Sequence, residues 1–389
     1  MEKKLRVQLL IKQLVSKETM LMNFYSFKYF KVYFIISNLM GKKLIFLGIE
    51  TSCDETAASI VQENLDGSAN VLSSIVSSQI KEHEKFGGVV PELAARSHIE
   101  NIDFIISRAL KDARTNLDQI DGVAATAGPG LIVCLTVGLN VGKAIAGFAK
   151  KPFVAVNHLE GHALSPALSN KIEFPYLLLL ISGGHSQYLI VKDVNDYKQI
   201  GTTIDDALGE AFDKTAKMLN LGYPGGPAVE KFAKQGDKNF YKLPEPIINK
   251  AGCNLSFAGL KTAVLIQSKK IKNDKKLKLN LAASFQETII KILKKKTEVA
   301  FKEFKKFSKK EKNIFVVAGG VAANQSIRRS LEQLSKKNNF EPIFSDLKFC
   351  GDNAAMIAWA GIQRYKKKLI DNLNVEPKSR WPLDKFAPY

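Results

Sequence analysis

One sentence of sequence occurs twice in this chain. Lys42–Val61, "KKLIFLGIETSCDETAASIV", reads as an apolar strand, a polar turn and a second apolar strand, and Phe174–Val191, "FPYLLLLISGGHSQYLIV", repeats the plan with a small-residue turn. A short apolar run rich in β-branched residues and bounded by Gly, Ser, Thr or Asp is a strand signal. Each hairpin opens about half of the chain, so the repetition predicts a duplicated architecture of two similar α/β lobes facing a cleft, with function between them. The length agrees: 389 residues is long for a single core.

The segments between the hairpins carry one theme, a strand followed by glycine and then a helix. "GVAATAGPGLIVCLTVGLNVGKAIAGFA" gives a buried strand, a glycine-proline turn and a small-residue helix; "NIFVVAGGVAANQSIRRSLEQL" ends its strand at Gly319 and Gly320 and begins a helix near Asn324. "TTIDDALGEAFDKTAKMLNL" has helical periodicity, "YPGGP" breaks the chain, and "FCGDNAAMIAWAGIQRY" starts a helix with Asp352 and Asn353 at its amino end, where capping side chains are favoured. Glycine after a strand lets backbone N–H groups approach a phosphate, and a helix start adds a favourable dipole. "ISGGHS" and "AGGVAAN" have that form, although neither is a P-loop or a dinucleotide fingerprint; such a segment taken singly is more often just a tight turn, and two of them in facing lobes suit a split nucleotide site.

"NHLEGHALS" sets His158 and His162 four positions apart with Glu160 between them. At about 100° per residue the two imidazoles share a helix face and Glu160 lies about 200° round from each. The metalloprotease arrangement H-E-x-x-H is therefore excluded, while a pair of metal ligands is not. Two ligands need a third, usually a carboxylate, from elsewhere. His98 is one candidate for that third ligand, although a lone histidine on an amphipathic helix is usually structural, and His185 after its glycine turn reads as a loop-bonding residue. Asp54, in the first hairpin turn, suits either proton chemistry or turn bonding. Glu210 with Lys214, and Asp213 with Lys217, have the spacing of surface ion pairs.

A net charge of +19, from 57 basic against 38 acidic residues, favours a polyanionic partner such as RNA. The excess is lysine, crowded into "KKIKNDKKLKL" and "KILKKKTEVAFKEFKKFSKKEK", so a solvated helix face gives the same count. Four scattered cysteines without a C-x-x-C pair suit a reducing cytoplasm. The aromatic stretch "NFYSFKYFKVYFIISNLM" is interrupted by Lys28 and Lys31 and is too short to span a bilayer, so no stable membrane association is expected. Residues 1–42 read as an extension, either an over-extended start before Met40 or a targeting segment.

Taken together, "GIETSCDETAASIV", "GGVVPELAARSH", "TAGPGL", "NHLEGH", "LLISGGHSQ", "IDDALGEAFDKTAKMLNLGYPGGP", "LSFAGLKTAV", "VAGGVAANQSIR" and "FCGDNAAMIAWAG" resemble the bacterial TsaD family, the tRNA N6-adenosine threonylcarbamoyltransferases. The likeness runs in order from about Lys43 to "RWPL". It implies an actin-like/sugar-kinase-like (ASKHA) α/β fold, two-lobed and duplicated, with a central interlobe cleft: an amino-terminal lobe over 43–170, a carboxy-terminal lobe over 171–350, and a helix in 351–389 returning to the first lobe. It implies transfer of the threonylcarbamoyl group from threonylcarbamoyl-adenylate to N6 of the adenosine 3′ of the anticodon in tRNAs reading ANN codons, with release of AMP, in the cytoplasm.

Residue by residue, the resemblance assigns one iron or zinc ion per subunit to His158, His162 and Asp352. It assigns adenylate contacts to Leu180, Ile181, Ser182, Gly183, Gly184, Asp213, Gly226 and Asn324, and an activity-determining position to Asp54. It implies a shorter TsaB-like paralogue and a small TsaE-like ATPase as partners. Two residues depart from the pattern: Gly351 replaces an expected threonine, which predicts a looser start to the last helix, and Ser186 stands where threonine is commoner. A tRNA-binding scaffold without turnover and an ATP-dependent kinase of the same superfold are the rivals; a peptidase is disfavoured by the displaced Glu160.

Overall fold

The computed structural model describes residues 43–271 and 274–384; both readings of residues 1–42 lie outside the described residues. Strands β1 (Leu44–Glu50), β2 (Glu55–Glu63) and β3 (Ala69–Ser78) form an antiparallel meander, and β4 (Gly122–Gly128) and β5 (Phe153–Asn157) add in parallel on the far side of β1. The second half repeats this with β6 (Tyr176–Ile181), β7 (Ser186–Asp193), β8 (Asp196–Thr202), β9 (Asn313–Ala318) and β10 (Phe340–Phe344). The orders, β3-β2-β1-β4-β5 and β8-β7-β6-β9-β10, are the same. The two quoted hairpins are β1–β2 and β6–β7, at the equivalent place in each sheet.

Both sheets are covered on two faces, which is why their central strands are nearly continuous apolar runs. In the first, Leu47 and Ile49 point into a core shared with α2 (Pro91–Asp112) and α3 (Ile132–Ala149). Phe46 points the other way, into a core with α10 (Ala354–Lys366), a helix from the end of the chain that packs on β1, β2 and β4. In the second, Leu177, Leu179 and Ile181 face the core of α5 (Leu208–Leu219), α6 (Gly225–Ala233), α7 (Ala258–Ile271), α8 (Lys275–Phe307) and α9 (Gln325–Lys337).

The opposite face of β6 meets Leu159 and Ala163 of α4 (His158–Leu164), whose Leu164 belongs to the first sheet's core. This short histidine helix is thus wedged at the junction of the lobes. Among the described residues, α3 is the one helix long and apolar enough to cross a membrane by length and composition. Here it covers the first sheet, burying Cys134, Leu135, Gly138, Leu139, Gly142 and Ala146.

The periodicity beginning at Thr202 becomes a helix only from Leu208. Asp205 is used elsewhere, accepting from the N–H of Phe257 at 2.7 Å and from the Ser256 hydroxyl. The first free N–H groups of α5 are taken by the glycine turn instead: Leu208 donates to Ser186 Oγ at 2.8 Å, Gly209 to the Ser182 carbonyl and Glu210 to the Gly183 carbonyl. The serine at 186 therefore supplies the hydroxyl that the turn needs. Glu210 and Lys214 form the expected surface pair at 2.6 Å.

Candidate functional site

Asn157 caps α4, its side-chain oxygen accepting from the Leu159 N–H at 2.9 Å, and the first turn of the helix then carries His158 and the next His162. At the far end of the chain Asn353 caps α10, accepting from the Met356 N–H at 3.0 Å, and leaves Asp352 just outside the helix. Because α10 packs on α4, the acid meets the imidazoles. His162 Nε2 lies 3.0 Å and His158 Nε2 3.5 Å from Asp352 Oδ1, and one ligand atom from each of the three lies within 4.8 Å of the others. The glycine at 351 costs this arrangement nothing visible. Asn353 Nδ2 donates to its carbonyl at 2.8 Å and holds the turn, and a Cβ placed there meets nothing within 4 Å.

Glu50, at the end of β1, escaped the sequence reading. It is fully buried. Oε2 lies 3.0 Å from His158 Nδ1 and accepts from the Thr126 hydroxyl at 2.6 Å, while Oε1 accepts from the Ser52 N–H. Burial alone lowers the basicity of His158, but the Asp352 and Glu50 carboxylates outweigh it and raise its pKa to about 9. Burial likewise opposes ionisation of Asp352, and the neighbouring imidazoles win, holding its carboxyl below the usual carboxylate range. His185, at the edge of the same group, is pushed down to about 4 by burial and by the charges of His158 and His162, so it stays a neutral ring.

This cluster lies at one side of a cleft of about 1620 Å³ lined by both lobes. Asp54 reaches it from the β1–β2 turn. That turn is fixed from behind, since the Gln79 N–H donates to the Asp54 carbonyl at 3.1 Å and His98 Nε2 sits 3.0 Å from the Cys53 carbonyl. His98 is thus a buried brace, as its helix position suggested. Glu55, beside Asp54, is pushed well above the carboxylate range by desolvation, with Asp352 and Asp54 adding to the effect.

Across the cleft, Ser182, Gly183, Gly184, Asp213, Gly226 and Asn324 all line the wall. Leu180 and Ile181 do not: they are fully buried in β6 and contribute only backbone to the base of the turn. Apart from the adjoining stretch of chain, no protein atom lies within 4 Å of where a Cβ at 183, 184, 226 or 320 would stand, so a ligand can lie directly on that backbone. Gly319 is required for another reason. Its φ of +94° is a glycine conformation, and a Cβ would stand 2.4 Å from the Ile181 carbonyl oxygen. Asp213 accepts from the Gly225 N–H at 2.8 Å rather than serving a surface pair, and Asn324 caps α9, accepting at 3.1 and 3.0 Å from the Ser326 and Ile327 N–H groups.

A five-stranded sheet of this order, doubled and closed around a cleft, is the architecture of the actin-like and sugar-kinase-like (ASKHA) proteins. HypF from T. kodakarensis is similar in fold, with a TM-score of 0.53 at 12% identity, over 84% of this chain and 48% of that one. A family model described as tRNA N6-adenosine threonylcarbamoyltransferase matches residues 70–359. Proteins of that name from Pelagibacter ubique (strain HTCC1062) and Brucella suis (strain ATCC 23445 / NCTC 10510) are 60% identical over 350 residues and 53% identical over 346. The first alignment covers 90% of this chain and 98% of the relative, the second 88% and 96%. The chain belongs to the tRNA N6-adenosine threonylcarbamoyltransferase family.

Proposed function

We propose that this cleft transfers a threonylcarbamoyl group from threonylcarbamoyl-adenylate to N6 of the adenosine 3′ of the anticodon in tRNAs reading ANN codons, releasing AMP. The observation that carries the reading, beside the family, is the meeting of His158, His162 and Asp352 within 4.8 Å at the edge of a glycine-lined cleft. Two imidazoles and a carboxylate are a donor set that suits iron(II) or zinc. One detail supports a metal there: His158 has its Nδ1 occupied by Glu50, which leaves Nε2 for the ion. The His162 ring is hydrogen-bonded through Nε2 to Asp352, its buried Nδ1 having no partner. A bound metal supplies a Lewis acid for substrate oxygens.

The remaining chemistry belongs to the chain. The donor is a mixed carbamic–phosphoric anhydride, already activated, so the work is to hold it, stabilise charge and aim the amine. Backbone at Ser182–Gly184 and Gly226 takes the adenylate, with Asp213 and Asn324 setting the walls. The N6 nitrogen forms a bond to the carbamoyl carbon, the carbon–oxygen bond to phosphate breaks, and AMP leaves with the electron pair. Asp54, on its braced turn, accepts or relays the proton that the amine gives up. The TsaB-like paralogue and TsaE-like ATPase remain the expected partners of this cytoplasmic reaction. The outward face of α3, where Ile132, Val133 and Phe148 are exposed beside Thr136 and Asn140, supports pairing through the first lobe.

Purified protein with these partners, unmodified tRNA and threonylcarbamoyl-adenylate yields the modified nucleoside on hydrolysis of the RNA. His158→Ala and Asp352→Ala each lower product formation by at least about 100-fold. Unchanged product in both variants removes the metal assignment.

A further inference from the structure

Glu160 cannot be a protease base, yet it is 1% exposed and none of its bonds is wasted. Oε1 accepts from the Asn195 N–H and from the Tyr197 hydroxyl, each at 2.9 Å, and Oε2 pairs with Arg364 Nη1 at 2.8 Å. Arg364 is itself 8% exposed and also reaches Asn195 Oδ1 at 3.5 Å. These partners belong to three different elements. Glu160 lies on α4, between the two histidines; Arg364 lies on α10, whose start carries Asp352; Asn195 and Tyr197 form the turn and first residues of the β7–β8 hairpin in the second sheet.

From this geometry we infer that Glu160 is the positioning residue of the histidine–aspartate cluster. The inference rests on the metal reading above. A helix of 7 residues has no stability of its own, so tertiary contacts alone set its position. All of it is buried: His158 and His162 bond Glu50 and Asp352, while the Glu160 side chain bonds both the last helix and the second sheet. Ten residues of helix, about 15 Å, separate Arg364 from Ala354. Asn353 pins the near end of α10 and the Glu160–Arg364 pair pins the far one, so together they fix the axial register of α10 against α4. That register sets the span from His158 and His162 to Asp352. The bonds to Asn195 and Tyr197 tie the same carboxylate to the strand pair that begins at Ser186, next to the glycine turn. One acid therefore holds both imidazoles, the third ligand's helix and the adenylate side of the cleft in a common frame.

Stability does not explain the choice of residues. A buried ion pair loses most of its attraction to desolvation, and apolar residues of similar size often serve as well or better. What such a pair supplies and two apolar side chains do not is a single allowed registry.

The test separates registry from stability. Zinc is titrated calorimetrically into chelator-stripped protein, and cobalt(II) is bound to record its ligand-field spectrum, for wild type, Glu160→Leu/Arg364→Met, Tyr197→Phe and Asp352→Ala. The double variant is expected to melt within a few degrees of wild type, to bind zinc about 10- to 100-fold more weakly, and to give an altered cobalt spectrum. Tyr197→Phe, which keeps the ion pair and loses one bond to the second lobe, is expected to weaken zinc several-fold. Wild-type zinc affinity and cobalt spectrum in the double variant overturn the positioning role. If the double variant does not fold, Tyr197→Phe decides alone, and wild-type affinity there overturns it. Asp352→Ala is the separate control: zinc bound as tightly as in wild type defeats the metal reading itself, whatever Glu160 does.

Discussion

Glu50 determines what His158 is. With Nδ1 held at 3.0 Å by a buried carboxylate that also takes the Thr126 hydroxyl, the ring can offer only Nε2 to the cleft. Glu50→Gln keeps the shape and removes the charge, and the expected result is zinc affinity lowered about tenfold with folding intact, read by titration and thermal melting. An unchanged affinity assigns Glu50 to packing only. The residue was illegible because its partner stands 108 positions away and an acid at the end of an apolar strand looks like the start of a turn. The histidines were legible for the opposite reason, since four-residue spacing on a helix is local geometry. Asp352 lay between these cases: its place at a helix start was readable, but its meeting with α4 was not.

Among elements, α10 is the one whose position matters most, and its seat on the first sheet is made by absence of a side chain. A Cβ at Gly48 of β1 would stand 2.2 Å from the Ala354 carbonyl oxygen and 2.6 Å from the Ala358 nitrogen, both backbone atoms that cannot swing aside. Gly48→Ala must push the helix outward and carry Asp352 with it. The expected cost is about 1–3 kcal/mol of stability, seen as a lower urea midpoint, together with weaker zinc binding. Loss of stability with unchanged zinc affinity means that α10 tilts about its capped end instead of shifting. The α5 region shows the limit of periodicity. Helical spacing was present from Thr202, but hydrogen-bond demand from the neighbouring turns took the first residues, a competition between segments that no window of sequence contains.

At the scale of the whole molecule the charge is lopsided. Residues 231–312 hold 22 lysines against 7 acidic residues, and Lys291, Lys294 and Lys295 are exposed together on one side of α8. Reversing these three to Glu is expected to raise the KM for tRNA by about tenfold and to flatten the dependence of binding on salt, with adenylate and zinc binding unchanged. An unaltered salt slope means that the lysines only solvate the helix. Sequence by itself determined the doubling, the two hairpins, the glycine turns and the histidine pair, because strand alternation, glycine backbone freedom and helical spacing act over a few residues. Which side chains face one another across the lobes was decided only in three dimensions. The acid that completes the cluster, the carboxylate behind His158 and the partners of Glu160 come from chain segments 35 to 204 residues apart, and it is the packing of α10 and the second sheet against α4 that brings them within bonding distance.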